Sequence, residues 1–518
     1  MLLDYTPISS IPSIVASVHA VFNSGRTKPL EWRRAQLRGI IAFATENEDA
    51  IIAALAADLR RPTFDAVAQE VLLLVTEARE ALAHLSSWSA DEAVDTPLML
   101  APATSHVRKE PFGVVLVIAP WNYPIMLSLA PLVSALAAGN ACILKPSEVA
   151  PASAALLGAL LHKYLDKWAV SIVQGGVEET SALLRERFDM ILYTGNGNVG
   201  RIVATAAAKH LTPTILELGG KNPAFVDSSA DLRGAARAII HGRCTNAGQI
   251  CLAPDYVLVE AGAEAALIAE LKKAITSFYG SDPKTSPHLA RIVNARHWAR
   301  VNALLVDSKK SVVAGGEADV SDLYIAPTLI RDPPANATIW QDEVFGPLLC
   351  VKPVRDLAEA AAFVNARDKP LALYIFSTRW GVAEKAMTLM QSGGVTLNGT
   401  LLHIAVPSLP FGGVGASGMG AYHGKRGFDA FSHQRAVYVA SRLVPVGDIV
   451  TFPPFSKTTI GIVRALYNYL PVRLLPENAG TIAGATGVVV FALVVAGWSI
   501  APTAANAWWV AVKSALTK

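Results

Sequence analysis

The hydrophobic and polar positions follow two patterns along the chain. Within residues 11–90, apolar residues such as Leu37, Ile40 and Ile41 recur at three- and four-residue spacing, which predicts amphipathic helices. From residue 113 onward, short apolar runs alternate with helical segments. Strands that alternate with helices predict an α/β fold built on a doubly wound parallel sheet.

The same pattern bounds the individual elements. Strands are predicted at residues 114–119, 141–144, 170–173, 190–194, 213–216, 224–227 and 256–259. Helices are predicted at residues 126–138, 152–165, 180–186, 199–210, 232–247 and 265–279. The alternation restarts at Glu217 and continues to about Gly394, which predicts two successive α/β units.

The pattern changes again toward the end of the sequence. No charged residue occurs between Glu477 and Lys513, and the apolar run 481–501 is 21 residues long. At a helical rise of about 1.5 Å per residue, this run would span a bilayer core of about 30 Å. We therefore expect a single membrane-spanning helix at 481–501, with a buried core helix as the alternative.

Composition limits the classes of function. The chain has 518 residues, of which 52% are hydrophobic and 17% are charged, so two or three domains with a large core are expected. The net charge of +3 gives no reason to expect a nucleic-acid partner. Four scattered cysteines without a CxxC pair predict a reducing compartment and no metal site.

Candidate catalytic residues lie at the two ends of the stretch Glu217–Cys251, each next to glycines. A cysteine attacks carbonyl carbon as the thiolate, and a nearby base can move protons or activate water. The pair predicts covalent thiol catalysis at an acyl-level carbon. Taken alone, Cys251 could equally be a small buried hydrophobic residue.

Two further segments could hold a cofactor. Gly195–Gly200 matches GxGxxG between a predicted strand and a predicted helix, which favours phosphate or ring contact at a helix N-terminus. The acidic residue of the standard dinucleotide fingerprint is not cleanly present, so Lys145 and Glu148, at the end of a predicted strand, become the ribose candidates. Solvated loop charges are the alternative for both residues.

Two loops add polar groups that could act in the same site. Asn122 lies in a proline-bounded loop after a strand, where a fixed amide can donate to an oxyanion. The segment Glu343–Pro347 brings a carboxylate and an aromatic ring to a turn. An ordinary turn asparagine and a plain β-turn are the alternatives.

Seven motifs occur together in a fixed order: PWNYP (Pro120–Pro124), KPSE (Lys145–Glu148), YTGNGNVG (Tyr193–Gly200), ELGGKNP (Glu217–Pro223), GQIC (Gly248–Cys251), EVFGP (Glu343–Pro347) and PFGGVGASGMGAYHGKRGFDAFSH (Pro410–His433). In order and spacing, over about residues 37–437, they resemble the aldehyde dehydrogenase superfamily. Tyr123, the LAPDY after Cys251 and the glycine-rich block near the end are similar to class 3, the fatty and medium-chain branch. The hydrophobic tail is similar to that of membrane-bound fatty aldehyde dehydrogenases, and fungal apocarotenal dehydrogenases are also similar.

The resemblance implies a role for each matching residue. Cys251 would be the nucleophile, Glu217 the general base, and Asn122 the oxyanion donor together with the Cys251 backbone N–H. The implied cofactor is NAD, with NADP as an alternative, and its binding residues would be Trp121, Lys145, Glu148, Gly195, Asn196, Gly200, Glu343 and Phe345. Among these, Lys145 and Glu148 would hold the adenosine ribose, and Glu343 the nicotinamide ribose. The sequence departs from the family pattern at Gly197–Asn198, where a serine or threonine followed by another residue is more usual. This departure affects how the cofactor is expected to lie.

The resemblance also implies an architecture. A five-stranded Rossmann-like cofactor domain (1–90 and 109–216) would precede an α/β catalytic domain (217–410). A β bridging arm (91–108 and 411–440) would join two copies into a homodimer. A juxtamembrane segment (441–480) and the transmembrane tail anchor (481–501) would complete the chain.

The implied activity is NAD(P)-dependent oxidation of a hydrophobic, long-chain fatty aldehyde to the acid through a thiohemiacetal and a thioester. An apocarotenal substrate with the same mechanism is one alternative, and an inactive membrane-attached binding or structural protein is another. The intact set Cys251, Glu217 and Asn122 argues against the inactive alternative. The catalytic domains are expected to face the cytosol at the endoplasmic reticulum, with the mitochondrial outer membrane, peroxisome or lipid droplet as alternatives.

Overall fold

The computed structural model describes residues 3–97, 100, 103–440 and 452–469. The helices are α1 (Ile11–Asn23), α2 (Leu30–Glu46), α3 (Glu48–Leu59), α4 (Thr63–Ala66), α5 (Leu73–Trp88), α6 (Met126–Ala138), α7 (Pro151–Leu160), α8 (Val177–Leu183), α9 (Gly197–Ala208), α10 (Leu232–Cys244), α11 (Glu264–Tyr279), α12 (Ala295–Asp307), α13 (Leu357–Asn365), α14 (Trp380–Leu389), α15 (Gly424–Ala430) and α16 (Lys457–Tyr469). A π-helical turn, Val67–Leu72, joins α4 to α5.

The strands are β1 (Glu92–Val94), β2 (Thr104–Pro111), β3 (Val114–Ile118), β4 (Ala141–Lys145), β5 (Val170–Ile172), β6 (Met190–Gly195), β7 (Thr214–Leu218), β8 (Asn222–Val226), β9 (Pro254–Glu260), β10 (Val312–Ala314), β11 (Ala318–Asp319), β12 (Tyr324–Ile325), β13 (Thr328–Arg331), β14 (Leu348–Val354), β15 (Ala372–Phe376), β16 (Gly394–Leu397), β17 (Gly418–Met419) and β18 (Ser432–Val439). The predicted α/β class is confirmed, because strands and helices alternate along most of the described chain.

Two sheets organise the larger of the two compact units, which covers the chain up to Ser89 and Glu110–His433. The first, called here the cofactor sheet, has the order β17-β7-β6-β3-β4-β5. Its five long strands are parallel, as predicted, and the short β17 adds an antiparallel edge beside β7. The second, called the catalytic sheet, has the order β10-β13-β14-β9-β8-β15-β16 and is parallel except at β10.

The apolar runs of the sequence explain why these strands and helices are buried. Every residue of β3 is buried, as expected for a central strand of a parallel sheet with helices on both faces. Every residue of α6 is buried too, and this helix follows directly after the loop that carries Asn122. The position of that loop is therefore set by a helix packed on all sides.

Three boundaries differ from the predicted ones. Helix α10 ends at Cys244, before the predicted 247, because Asn246 and Ala247 adopt left-handed backbone angles (φ 51° and 53°) that a helix cannot contain. Glu217 lies inside β7, so the chain changes sheets after Leu218. Residues 411–433 belong to the larger unit, whereas the predicted arm contained them.

The smaller unit covers Ala90–Lys109 and the chain from Gln434 onward. Its sheet has the order β1-β2-β18, in which β1 and β2 come from residues 92–111 and β18 from residues 432–439. Helix α16 lies within the predicted juxtamembrane segment, 441–480. The predicted transmembrane segment 481–501 lies outside the described residues, and within the described ranges no helix has the length and apolar character needed to cross a membrane.

Candidate active site

The predicted site residues gather where the two sheets of the larger unit meet. Asn122 follows the carboxyl end of β3, and Glu217 lies at the carboxyl end of β7. Cys251 precedes the amino end of β9, and Glu343 precedes that of β14. The carboxyl ends of one parallel sheet thus face the amino ends of the other, so residues far apart in sequence come to one place.

The backbone between α10 and β9 turns sharply to present Cys251. Asn246, Ala247 and Gly248 all have positive φ, which ends the helix and reverses the chain. Beyond the turn, Asn222 Nδ2 donates to the carbonyl oxygens of Cys251 (2.6 Å) and Ala253 (3.1 Å). These bonds hold the backbone around Cys251 and leave its side chain half-buried, whereas Cys142, Cys244 and Cys350 are buried.

The surroundings of the Cys251 thiol favour its protonated form. Burial is the main reason that its pKa lies well above the usual value, and the charges of Glu343 and Glu217 raise the pKa further. The backbone N–H groups of Cys251 and Leu252 act in the opposite direction, because they can bind the thiolate. Both carboxylates are therefore close enough to the sulfur to control its ionisation.

Glu217 is a buried carboxylate with 3% exposure. Within the described part of the chain, neither of its carboxylate oxygens has a hydrogen-bond partner. Burial accordingly raises the pKa of Glu217 well above the value of an ordinary glutamate. A carboxylate of this kind accepts a proton readily, which is what a general base requires.

The Asn122 side chain lies against the loop that carries the thiol. Its Nδ2 donates to the carbonyl oxygen of Gln249 (3.0 Å), two residues before Cys251. In return, Asn246 Nδ2 donates to the Asn122 carbonyl oxygen (3.0 Å). The structure thus brings Asn122, predicted as the oxyanion donor, and Cys251 together.

Lys145 and Glu148 form an ion pair at the carboxyl end of β4, with 2.8 Å between Nζ and Oε2. Lys145 is buried and Glu148 is half-buried. A Cβ atom added at Gly176, the residue before α8, would lie 3.8 Å from the Glu148 side chain. The pair therefore stands at the carboxyl edge of the cofactor sheet, where a parallel α/β sheet commonly binds nucleotides.

The GxGxxG segment forms the turn between β6 and α9. Asn196 caps α9 by accepting a hydrogen bond from the Val199 N–H (3.0 Å). A Cβ atom at Gly200 would lie 2.8 Å from Leu218 Cδ2, and one at Gly195 would collide with the Tyr193 ring. Close packing therefore favours glycine at both positions. Asn196 and the first turn of α9 face outward, as expected for a helix N-terminus that binds phosphate.

Glu343, Phe345 and Trp121 lie near the thiol rather than near Lys145. The Trp121 and Phe345 rings pack edge to face, with centroids 5.3 Å apart. Burial, followed by the charge of Asp255, raises the pKa of Glu343 to about 8, against the opposing effect of Arg243, Lys221 and Arg300. A side chain on Gly219 would collide with the Glu343 carboxylate, so the two motifs Glu217–Pro223 and Glu343–Pro347 touch.

A buried ion cluster, which the sequence analysis missed, lies beneath these motifs. The Asp255 carboxylate accepts from Arg243 (3.0 Å), from Lys221 and from the Val344 N–H (3.1 Å). Arg243 also donates to the carbonyl oxygens of Gly248 (3.1 Å) and Gly346. In the sequence, the one sign of this cluster was that Lys221 and Asp255 lie within recognised motifs. Arg243 lies in no such motif.

The exposed edge of the cofactor sheet fits a dinucleotide. Val177 on α8 is 79% exposed and Ile202 on α9 is 59% exposed, so each of the two helices that begin at this edge presents one apolar side chain. Val177 and Ile202 supply apolar groups for the base, and the Lys145–Glu148 pair supplies charged groups for the ribose. The helix start at the Asn196 cap supplies backbone groups for the phosphate. Across the described ranges, no cluster of three or more His, Cys, Asp or Glu residues could hold a metal ion.

These features are typical of an oxidoreductase with a nucleotide cofactor. Residues 9–437 match the aldehyde dehydrogenase family, and the chain belongs to that family. Aldehyde dehydrogenase family 3 member B1 of Bos taurus is 46% identical over 442 residues, which cover 85% of this chain and 94% of that protein. The protein named "Aldehyde dehydrogenase, dimeric NADP-preferring" of Mus musculus is 46% identical over 447 residues, or 86% of this chain and 98% of that protein.

A solved structure shows the same fold. The substrate-bound state of Staphylococcus aureus AldH superposes with a TM-score of 0.86 at 40% identity and covers 88% of this chain and 99% of its own. The predicted family is therefore confirmed. This chain is an aldehyde dehydrogenase that oxidises an aldehyde to the acid and uses NAD or NADP as cofactor.

Proposed function

We propose that this enzyme oxidises hydrophobic, long-chain aldehydes by covalent catalysis through Cys251. The observation that carries the proposal is the meeting of one half-buried thiol, two carboxylates and the Asn122 amide between two sheets. A half-buried thiol with a carboxylate nearby that can act as a base is an arrangement that nucleophilic catalysis uses.

In the first half-reaction the Cys251 thiolate attacks the aldehyde carbon. A C–S bond forms, and the π electrons of the carbonyl group move to oxygen. The oxyanion accepts hydrogen bonds from Asn122 Nδ2 and the Cys251 backbone N–H, which stabilise charge as it develops. When bound, the nicotinamide ring supplies the hydride acceptor, and the acyl group left on Cys251 is a thioester.

In the second half-reaction Glu217 takes a proton from water while the water oxygen attacks the thioester carbon. The C–S bond breaks, the carboxylic acid leaves, and the thiolate is restored. Burial raises the pKa of Glu217 well above that of an ordinary glutamate, which makes its carboxylate a stronger proton acceptor.

Rings near the thiol and exposed apolar residues in the same stretch of chain support a hydrophobic substrate. The rings of His403 and His423 both stack on Phe411, at 6.4 Å and 5.2 Å between centroids. Tyr422, the residue before His423, lies near Glu217 and Cys251, because both their charges raise its pKa. Leu402, Val406 and Leu409, in the same stretch of chain as His403 and Phe411, have exposed apolar side chains.

The mechanism is tested with purified enzyme and rapid measurement of NADH formation. We expect Cys251→Ala to abolish turnover and to retain cofactor binding, whereas the matched variant Cys244→Ala remains active. Glu217→Gln should give a burst of NADH followed by slow turnover, because hydrolysis needs the base and thiohemiacetal formation does not. Substantial turnover in Cys251→Ala, or loss of the burst in Glu217→Gln, would contradict the assigned roles.

The substrate class is tested by a screen over short, medium and long saturated aldehydes and retinal-like polyenes with both cofactors. We expect kcat/KM to rise with chain length, since each CH₂ buried on binding contributes about 0.8 kcal/mol. A preference for short aldehydes would refute the hydrophobic substrate. A strong preference for polyenes would identify the apocarotenal alternative.

We further infer that the protein is membrane-bound and dimeric. The uncharged run 481–501 supports one membrane-spanning helix with the enzyme on the cytosolic side. The sheet β1-β2-β18, with β18 at its edge, supports a dimer that forms through the arm, and one similar mouse protein is named as dimeric. Alkaline carbonate extraction and the mass of the detergent-solubilised enzyme test the two inferences.

A further inference from the structure

A buried ion pair next to the catalytic loop has no part in the chemistry described so far. The side chains of Arg61 and Glu70 are both fully buried and form a salt bridge. Arg61 precedes α4, and Glu70 lies in the π-helical turn Val67–Leu72. Both side chains also contact one short segment, Tyr123–Met126.

Glu70 binds the backbone of that segment. Its Oε2 accepts hydrogen bonds from the N–H groups of Ile125 (3.1 Å) and Met126 (2.7 Å), at the start of α6. Hydrogen bonds to a charged acceptor are the stronger kind, and these two lie in a site without solvent. Glu70 thereby fixes the backbone three residues after Asn122.

Arg61 and Gln69 bind the residue between Asn122 and Pro124. The Arg61 guanidinium lies 3.9 Å from the centre of the Tyr123 ring, a cation–π contact. Gln69 Oε1 accepts from the Tyr123 hydroxyl (2.8 Å). The segment that carries Asn122 is therefore held through one side chain and two backbone groups.

The π-helical turn explains how Gln69 and Glu70 reach the same loop. Adjacent residues of an α-helix point in directions about 100° apart, so they do not face one neighbour. A π turn is wider and redirects the side chains within it, and such turns are frequent at functional sites. Here the wide turn aims two consecutive side chains at Tyr123 and at the start of α6.

We propose that Glu70, with Arg61, is a positioning residue that keeps the Asn122 amide where the oxyanion forms. The proposal rests on the role of Asn122 proposed above. Within the described part of the chain, Asn122 is hydrogen-bonded to the Cys251 loop through Gln249 and Asn246, and its alignment also depends on the segment that follows it. Misplacing a catalytic donor by about 1 Å can lower the rate by about 100-fold.

A purely structural role is the competing explanation, and it predicts something different. A buried ion pair adds little net stability, because the loss of hydration offsets the attraction, but removal of one partner leaves a buried charge. Such a loss would lower stability equally whether or not Asn122 is present. A positioning role requires the effect on rate to depend on Asn122.

The test is a double-mutant cycle with Glu70→Gln, Asn122→Ala and their combination, read as the single-turnover rate of NADH formation and as Tm. We expect Glu70→Gln alone to slow NADH formation by about tenfold or more, and by less than about twofold when Asn122 is already alanine. Glu264→Gln is the matched control, since Glu264 is also a buried glutamate bonded to an arginine, Arg331, and should leave the rate within about twofold.

Equal rate losses in the two backgrounds, or no loss in Glu70→Gln, would overturn the positioning role. A wild-type rate in Asn122→Ala would refute the proposed oxyanion donor itself, which is a separate result. If Glu70→Gln does not fold, the paired variant Arg61→Met/Glu70→Gln removes both charges and enters the same cycle with the same expected outcomes.

Discussion

At the scale of single residues, burial and the charges around Cys251 both disfavour ionisation of its thiol. Burial and the nearby Glu343 and Glu217 all raise the pKa of Cys251. Burial also raises the pKa of Glu343 to about 8, so Glu343 is mostly protonated at neutral pH. The carboxyl group of Glu343 therefore gains its charge in the alkaline range, where it opposes formation of the thiolate.

Glu343→Gln should lower the pKa of Cys251, because it removes a negative charge that disfavours the thiolate. At about pH 9, where wild-type Glu343 is ionised, we expect Cys251 to be alkylated by iodoacetamide several-fold faster in the variant. At about pH 6 Glu343 is already neutral, so the two rates should converge. Mass spectrometry of the Cys251 peptide measures the rates.

The exposed Glu384→Gln serves as the control and should match the wild type at every pH. Equal alkylation of Glu343→Gln and wild type at alkaline pH would show that Glu343 does not act on the thiol.

The Lys145–Glu148 pair leads to a prediction about cofactor choice. A carboxylate at this edge of the sheet would repel the 2′-phosphate of NADP, whereas Lys145 would attract it. Glu148→Gln should therefore raise the ratio of kcat/KM for NADP to that for NAD by about tenfold, equal to about 1.4 kcal/mol. Steady-state kinetics with both cofactors measure the ratio. An unchanged ratio would place the adenosine ribose elsewhere.

At the scale of elements, the loop between α10 and β9 shows how backbone geometry positions the nucleophile. Its turn needs positive φ at Gly248 (77°), and Gly248 packs against the Gly346 carbonyl oxygen of the Glu343–Pro347 turn. Arg243 donates to both of these glycine carbonyls. The loop with the thiol and the turn with Glu343 are thus one packed assembly.

Gly248→Ala should disrupt this assembly. An alanine with left-handed backbone angles lowers the free energy of unfolding by about 1–2 kcal/mol. Its methyl group would also collide with the Gly346 carbonyl oxygen. We expect a Tm reduced by several degrees and turnover reduced by about 100-fold, because Cys251 is displaced. In contrast, Gly262→Ala meets no atom within 4 Å and should be neutral. Equal behaviour of the two variants would refute the packing argument.

At the scale of the whole molecule, two sheets of the larger unit share one site. The cofactor sheet contributes the residues that follow β3, β4 and β6, and the catalytic sheet contributes those that precede β8, β9 and β14. None of the residues proposed for the chemistry lies in the run 481–501. As proposed above, that run would bring the enzyme to a bilayer in which hydrophobic aldehydes accumulate.

A chain truncated after Pro476 should therefore stay soluble and oxidise short, water-soluble aldehydes at the rate of the full chain. Its kcat/KM for long-chain aldehydes in vesicles should fall, because substrate no longer reaches it by diffusion within the membrane. Kinetics with and without vesicles measure this difference. Misfolding of the truncated chain, or its retention in the membrane pellet after alkaline carbonate washing, would contradict a tail anchor.

Much of the fold could be predicted from short stretches of the sequence. Helix α6 has the predicted bounds, and β3 through β9 lie within a few residues of the predicted strands, because apolar period and strand–helix alternation are properties of neighbouring residues. The motifs likewise predicted that Cys251, Glu217 and Asn122 belong to one site. The end of α10 was predicted incorrectly, because left-handed angles at Asn246 and Ala247 are imposed by the packing of the next loop.

By itself, the sequence thus determined the class of fold and the family, and it predicted the residues that do the chemistry, since each rests on short runs of neighbouring residues. Only the tertiary structure decided what surrounds those residues. It placed Glu343 beside the thiol, bound Lys221 and Arg243 to Asp255, and aimed Glu70 at the loop after Asn122. These contacts join residues distant in sequence, and their energies depend on burial, which no local pattern of residues encodes.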